Sequence, residues 1–154
     1  MPYLGCCQCG AVTFRITGDK PLIVYACHCL DCQTWSSSAF TEHALFTEGD
    51  INVDGPTTTY ISSKNDTTAE HILCSVCHTR ILNRNAAAPG MVFLRAGVLT
   101  NSHTLSPAAH IWTKRKQPWV VLPSDVPSWP ESPTPEQFFA AVFPHGPDSE
   151  QSRR

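Results

Sequence analysis

The sequence predicts a mainly β fold carrying zinc knuckles, with one short helix near its C-terminal end. Three observations predict it. Apolar residues recur in short alternating or continuous runs separated by Gly, Pro, Asn and Asp, and no stretch before residue 130 keeps a helical period over ten residues. Eight cysteines fall into close pairs and triplets. The C-terminal segment is crowded with proline, seven of thirteen lying from Pro123 onward.

At 154 residues the chain is long enough for one core without covalent staples. Charged residues make up 16% and the net charge is −2, so no strong field is available to hold DNA or an anionic membrane. Met1–Gly5 has no basic start leading into an apolar core, and the apolar run Leu22–Cys27 is far too short to span a bilayer. The expectation is a cytoplasmic chain whose partners are small molecules, neither nucleic acid nor membrane, with room for a homo-oligomer. Reduced thiols holding metal then fit the cysteines better than disulfides do.

Taken in order, Val12, Phe14 and Ile16 alternate with Thr13, Arg15 and Thr17 as in a half-buried strand, and Gly18–Pro21 breaks it. Leu22–Ala26 reads as a strand buried on both faces that delivers the chain into Cys27. Trp35–Phe40 reads as a loop, and Ser36, Ser37 and Ser38 offer hydroxyls to a polar ligand or serve as ordinary loop composition. Further strands are expected at Thr41–Phe46, Thr57–Ser62, Glu70–Leu73, Arg80–Asn83, Met91–Ala96 and Ala108–Thr113, with turns at Asn52–Pro56 and Lys64–Thr67. From Pro123 an extended arm is expected, with residues 131–154 set apart from a zinc-binding domain over 1–130. Thr134-Pro135-Glu136-Gln137 is a helix start with a capping box, Phe138, Phe139, Val142 and Phe143 supply an apolar stripe, and Pro144 stops it. Asp148–Arg154 reads as a frayed end.

The cysteines carry the chemistry. Cys7 and Cys9 with Cys74 and Cys77 offer four thiolates, the donor set of a closed structural zinc site. Cys27, Cys29 and Cys32 offer three, leaving one corner of a tetrahedron for a distant histidine or a small molecule. His28, His43, His71 and His110 are available as that fourth ligand, although alternation should point His28 away from its neighbours' ion. Three thiolates make zinc a poor Lewis acid for water, and soft-ligand matching favours an incoming thiol held as thiolate. His110 is the candidate for passing protons to a substrate oxygen, or a buried strand histidine. Arg95, Lys114 and Arg115 are the candidates for holding substrate carboxylates; Arg95 reads first as the partner of an acid and second as an anion-binding group, and the Lys114–Lys116 run could be a solvated turn. Cys6 is left over. His78, just after a C-x-x-C pair, occupies a turn position that favours positive φ.

Gly5-Cys6-Cys7-Gln8-Cys9-Gly10, Cys27-His28-Cys29-Leu30-Asp31-Cys32, Ser36–Phe40, Cys74-Ser75-Val76-Cys77, Arg95-Ala96-Gly97 and His110-Ile111-Trp112 resemble, in order and spacing, the glutathione-dependent formaldehyde-activating enzyme family, which includes centromere protein V. The resemblance runs from about residue 3 to 130. It implies an antiparallel β fold of the Mss4-like type, a structural zinc on Cys7, Cys9, Cys74 and Cys77, and a catalytic zinc on Cys27, Cys29 and Cys32. It further implies carbon–sulfur lyase chemistry with glutathione as cosubstrate, the reversible addition of its thiol to formaldehyde. His78 and Ser37 stand where the family usually has glycine. The alternative is a zinc-stabilised protein-binding module without turnover.

Overall fold

The computed structural model describes residues 2–64 and 66–143. Within it the strands are β1 (Tyr3–Cys6), β2 (Thr13–Ile16), β3 (Ile23–Cys27), β4 (Thr41–Thr47), β5 (Ile51–Asp54), β6 (Thr57–Lys64), β7 (Thr67–Cys74), β8 (Arg80–Asn85), β9 (Met91–Arg95) and β10 (His110–Ile111). Two α-helices join them, α1 (Leu30–Ser36) and α2 (Pro135–Val142). The mainly β reading holds, with the strands in two sheets. The chain divides into two compact units, Met1–Val24 with Glu42–Ser106, and Tyr25–Thr41 with Pro107–Arg154.

In the first unit, β1, β2 and β5 form an antiparallel sheet in the order β1-β2-β5, and β4-β9-β8-β7-β6 form an antiparallel run. Val12, Phe14 and Ile16 are buried while Thr13, Arg15 and Thr17 face water, as the alternation predicts. They join Val24, Ala44, Phe46, Ile81, Leu82, Val92, Leu94 and Leu99 in one core, where each fully buried Leu, Ile or Val stabilises the fold by about 1.5–3 kcal/mol. Ile51–Asp54 corrects the turn expected at Asn52–Pro56. Asn, Asp, Gly and Pro suggest a turn by composition, but Val53 pairs with Phe14 and Asn52 with Arg15, so cross-strand pairing overrides the composition. Only Gly55-Pro56 turns. Gly55 has φ +113, and a Cβ there would lie 2.2 Å from Ala11 O, so no side chain fits.

In the second unit β10 pairs in parallel with β3, matching His110 to Ala26 and Ile111 to Cys27. All five residues of β3 are buried, as expected of a continuous apolar run. The expected strand Ala108–Thr113 is only two residues long because Trp112 turns to φ 58. Beyond it the proline-rich arm lies along β10: His110 N–H donates to Pro127 O and Trp129 N–H to His110 O, each at 2.9 Å. Trp35 and Ser36, expected in a loop, belong to α1. Seven residues are too few to show a period, and the helix is set instead by its ends, with Cys29 as N-cap and Ser37 left-handed at φ 52.

The helix α2 forms where predicted. Gln137 N–H donates to Thr134 Oγ1 at 3.2 Å and Thr134 N–H to Gln137 Oε1 at 2.9 Å, the reciprocal capping box. Of its expected apolar stripe, Phe138 alone is fully buried, edge-on to Tyr25 with centroids 5.6 Å apart, while Phe139 is 40% exposed. The predicted stop at Pro144 and the frayed Asp148–Arg154 lie outside the described residues. No helix among the described residues is long and apolar enough to cross a membrane.

Candidate metal centres

Two knuckles build the first centre, within the first unit. Between β1 and β2 the chain folds back with Cys7 N–H on Val12 O at 2.9 Å and Gly10 N–H on Cys7 O at 3.0 Å. Between β7 and β8, Cys74 N–H reaches Thr79 O and His78 N–H reaches Cys74 O, both at 3.0 Å. His78 sits at φ 60, the left-handed conformation that its place after Cys77 predicts. The sulfurs of Cys7, Cys9, Cys74 and Cys77 lie within 4.8 Å of one another. Cys7 and Cys9 are 3.5 Å apart and Cys9 and Cys74 3.9 Å. Sulfurs about 2.3 Å from a tetrahedral zinc are about 3.8 Å from one another, so the four thiols fit that ion with little adjustment.

Backbone and hydroxyl donors point at this sulfur cluster. Val12 N–H donates to Cys7 Sγ at 3.3 Å and Val76 N–H to Cys74 Sγ at 3.4 Å. Thr79 Oγ1 accepts from Gln8 N–H at 3.1 Å, which leaves its own proton for Cys77 Sγ, also at 3.1 Å. That hydroxyl, with the Thr79 backbone, pulls the Cys77 thiol down to about 5. At Cys9 a backbone contact with Ala11 lowers the value, but the neighbouring thiols raise it to about 12. Four sulfurs this close cannot all carry charge by themselves, and a dication among them removes the conflict.

The second centre lies within the second unit. β3 carries Cys27 in, Cys29 caps α1, and Cys32 sits in its first turn. Their sulfurs also lie within 4.8 Å of one another, and among the described residues the group has these three members. Cys27 is buried while Cys29 and Cys32 are partly open to solvent. Cys32 N–H donates to Cys29 Sγ at 3.3 Å. Hydrogen bonds from Cys27 and Cys32 draw Cys29 down to about 2, while bonds with Cys29 and Cys32, and then burial, hold Cys27 well above the ordinary thiol range.

None of the four candidate histidines belongs to the three-thiol group. His28 Nε2 and His110 Nδ1 are 3.0 Å apart, and the His28 ring packs 5.1 Å from Phe40. Pairing of His110 with Ala26 puts it on the strand face opposite Cys27, and burial keeps both imidazoles neutral, His28 near 4. In the first unit, His43 accepts from Arg95 at 2.8 Å, and His71 bonds Arg80 and Ser62, each at 2.9 Å.

Arg95 thus lies half-buried against an imidazole. Lys114 pairs with Glu131 and stands 5.1 Å from the centroid of the Trp112 ring. Arg115 points its side chain to solvent while its carbonyl accepts from Gln33 Nε2 at 2.9 Å. Ser36 bonds the carbonyl of Phe40 at 3.2 Å, and Ser37 serves as the left-handed cap of α1. Cys6 is exposed and belongs to neither cluster.

Sequence reasoning missed Gln33. Its amide donates to His28 O at 2.8 Å as well as to Arg115 O, while its own oxygen accepts from Gln117 at 3.3 Å. It clips the cysteine loop to the 115–117 segment, and Thr41 Oγ1 clips the other side through Cys32 O at 2.9 Å. A glutamine that reaches partners 82 and 84 positions away leaves no local signal of that reach. Thr79 was missed as well, although its contact with Cys77 is only two positions away.

The sequence profile of the glutathione-dependent formaldehyde-activating enzyme family matches residues 2–115, spanning both cysteine clusters. The chain belongs to this family. Ser37 and His78 are both left-handed here, the backbone conformation that glycine adopts without strain. Among solved structures the family member resembles a Rhodobacter sphaeroides protein determined in a structural genomics programme, at TM-score 0.51 and 20% identity, over 68% of this chain and 91% of that one. No curated protein matches it.

Proposed function

We propose that the protein is a zinc-dependent carbon–sulfur lyase or synthase acting on adducts of glutathione with an aldehyde or similar electrophile. The observation that carries this reading is the unequal pair of donor sets, four thiols in one cluster and three in the other. The four would hold a structural zinc. At the three, a bound zinc would supply one further coordination position with a preference for sulfur.

The chain's own residues do the rest. Cys27, Cys29 and Cys32 bind, and the Cys32 amide helps Cys29 carry charge. Gln33 and Thr41 fix the loop so that the sulfurs keep their spacing. In the synthetic direction the thiol loses its proton, sulfur bonds to the carbonyl carbon, and the C=O π pair moves to oxygen, which takes up one proton. The lyase direction breaks the same C–S bond and returns the proton to sulfur. Arg115, exposed beside the Gln33 clip, is suited to a glutathione carboxylate. Lys114, engaged with Glu131, is the weaker one. His110, neutral and buried, is proposed as the proton-passing group only if a substrate oxygen reaches its ring.

The test is Cys29→Ser, measured for zinc content, folding and exchange between glutathione and its hydroxymethyl adduct above the uncatalysed rate. A folded variant is expected to keep one zinc of two and to lose at least about 100-fold in catalysed turnover. Undiminished turnover in a folded variant would remove the three-thiol centre from the mechanism.

A further inference from the structure

In the second unit, the chain beyond β10 holds an indole in the open on a fixed turn. Val120 N–H donates to Gln117 O at 3.1 Å, closing the turn over Pro118 and Trp119, with proline at its second position, where a fixed φ suits the bend. Lys116 Nζ ties the turn further, donating to Val120 O at 2.7 Å and to Gln117 O at 3.3 Å, and Val120 is buried. Trp119 itself is 71% exposed, with its Nε1–H on Gln117 Oε1 at 2.7 Å. That bond uses the indole's single donor, so what remains for a ligand is the ring face. The side chain is ordered without being buried, and a ligand that covers it meets little further ordering cost.

This turn is joined to the cysteine loop. Gln117 Nε2 donates to Gln33 Oε1 at 3.3 Å, and Gln33 Nε2 donates to Arg115 O at 2.9 Å and to His28 O at 2.8 Å, between Cys27 and Cys29. Allowing about 2.3 Å across each amide, the indole nitrogen lies within about 14 Å of the His28 carbonyl. The γ-glutamyl arm of glutathione, extended, reaches about 10 Å from its sulfur to its α-amino nitrogen, a comparable span. Of the basic run, Lys114 is paired with Glu131 and Lys116 faces backbone carbonyls, so among the described residues Arg115 is the member that keeps its guanidinium for a ligand.

We propose that Arg115 and Trp119 together read the amino-acid end of that arm, the guanidinium taking the α-carboxylate and the indole face the α-ammonium. The proposal rests on the function proposed above and names how its thiol is chosen. Indole is the aromatic ring that attracts cations best. The 114–121 segment carries no acid that would take the ammonium instead, and Glu131 is engaged by Lys114.

The experiment uses the zinc-loaded protein and three thiols that differ only at that end: glutathione, glutaryl-cysteinylglycine, which lacks the ammonium, and γ-aminobutyryl-cysteinylglycine, which lacks the carboxylate. Affinities are read by calorimetry. The wild type is expected to bind glutathione at least about fivefold tighter than either analogue. Trp119→Leu should bring the preference over the glutaryl thiol to within about twofold and leave the preference over the aminobutyryl thiol, Trp119→Phe should keep part of the first, and Arg115→Gln should remove the second alone. Zinc content and melting temperature confirm that each variant is folded, as expected of exposed positions. If the wild type binds all three thiols equally, the subsite is refuted while the thiol site stands. If Trp119→Leu and Arg115→Gln both keep the wild-type ratios, recognition lies elsewhere and the subsite is likewise refuted. If no thiol binds the wild type, the glutathione reading falls and takes the subsite with it.

Discussion

Replacing Thr79 with valine tests how the closed centre is held. The side chains are nearly the same size, and the main-chain bond from Cys74 N–H to Thr79 O is untouched, so what changes is one hydroxyl. That hydroxyl accepts from Gln8 and donates to Cys77, each at 3.1 Å. The amide of Gln8 is exposed and water replaces its partner at little cost, whereas a hydrogen bond to a charged group contributes about 1.5–3 kcal/mol. Taking about 2 kcal/mol, at about 1.4 kcal/mol per decade, Thr79→Val should weaken metal binding at the four-thiol centre about 30-fold. Competition against a chromophoric chelator reads this directly. One metal equivalent should be lost at lower chelator concentration while the other, held by Cys27, Cys29 and Cys32, keeps its wild-type value. Unchanged affinity at the four-thiol centre would refute the role given to the hydroxyl.

Three further outcomes follow from other residues. His78 is left-handed at φ 60, so His78→Gly should relieve about 1 kcal/mol of backbone strain and raise the melting temperature of the zinc-loaded protein by about 2–4 °C; a fall would show that the imidazole contributes more than its backbone costs. His71 is held down at about 4, from an ordinary 6.5, by burial first and then by the charges of Arg80 and Arg95. A histidine kept neutral when folded takes up its proton more readily when unfolded. The stability it contributes is therefore complete above about pH 6.5 and is lost as pH falls from there toward 4, by about 3 kcal/mol at about 1.36 kcal/mol per unit; denaturant melts of wild type and His71→Gln across that window should differ in slope, and parallel profiles would contradict this. Gln33→Leu removes the clip to His28 O and Arg115 O and should weaken metal binding at the three-thiol centre about tenfold while sparing the other; equal loss at both centres would point to general unfolding.

The parts of this structure that were legible in the sequence are those whose cause is local. The alternation of Val12, Phe14 and Ile16, the unbroken run into Cys27, and the capping box at Thr134 and Gln137 each state their structure within a few residues. The cysteine groups could be sorted because C-x-C and C-x-x-C spacings bring sulfurs together whichever way the rest of the chain runs. What escaped notice depends on partners far away. β5 is a strand because Val53 and Asn52 meet β2, against the turn-like chemistry of Asn, Asp and Gly. α1 is the exception, with a local cause: Cys29 and Ser37 cap its ends, but seven residues show no period. Arg95 meets His43 through the register of β4 and β9, which no spacing in the sequence discloses.

The central claim is that one cluster is closed and the other accepts a thiol from solution. Cobalt substituted at both centres and titrated with glutathione addresses it most directly, because tetrahedral thiolate coordination is visible in the cobalt absorption spectrum. The account predicts that half of the cobalt signal, the half lost in Cys29→Ser, shifts and saturates with added glutathione while the other half stays fixed. A spectrum in which neither half responds to the thiol would contradict it.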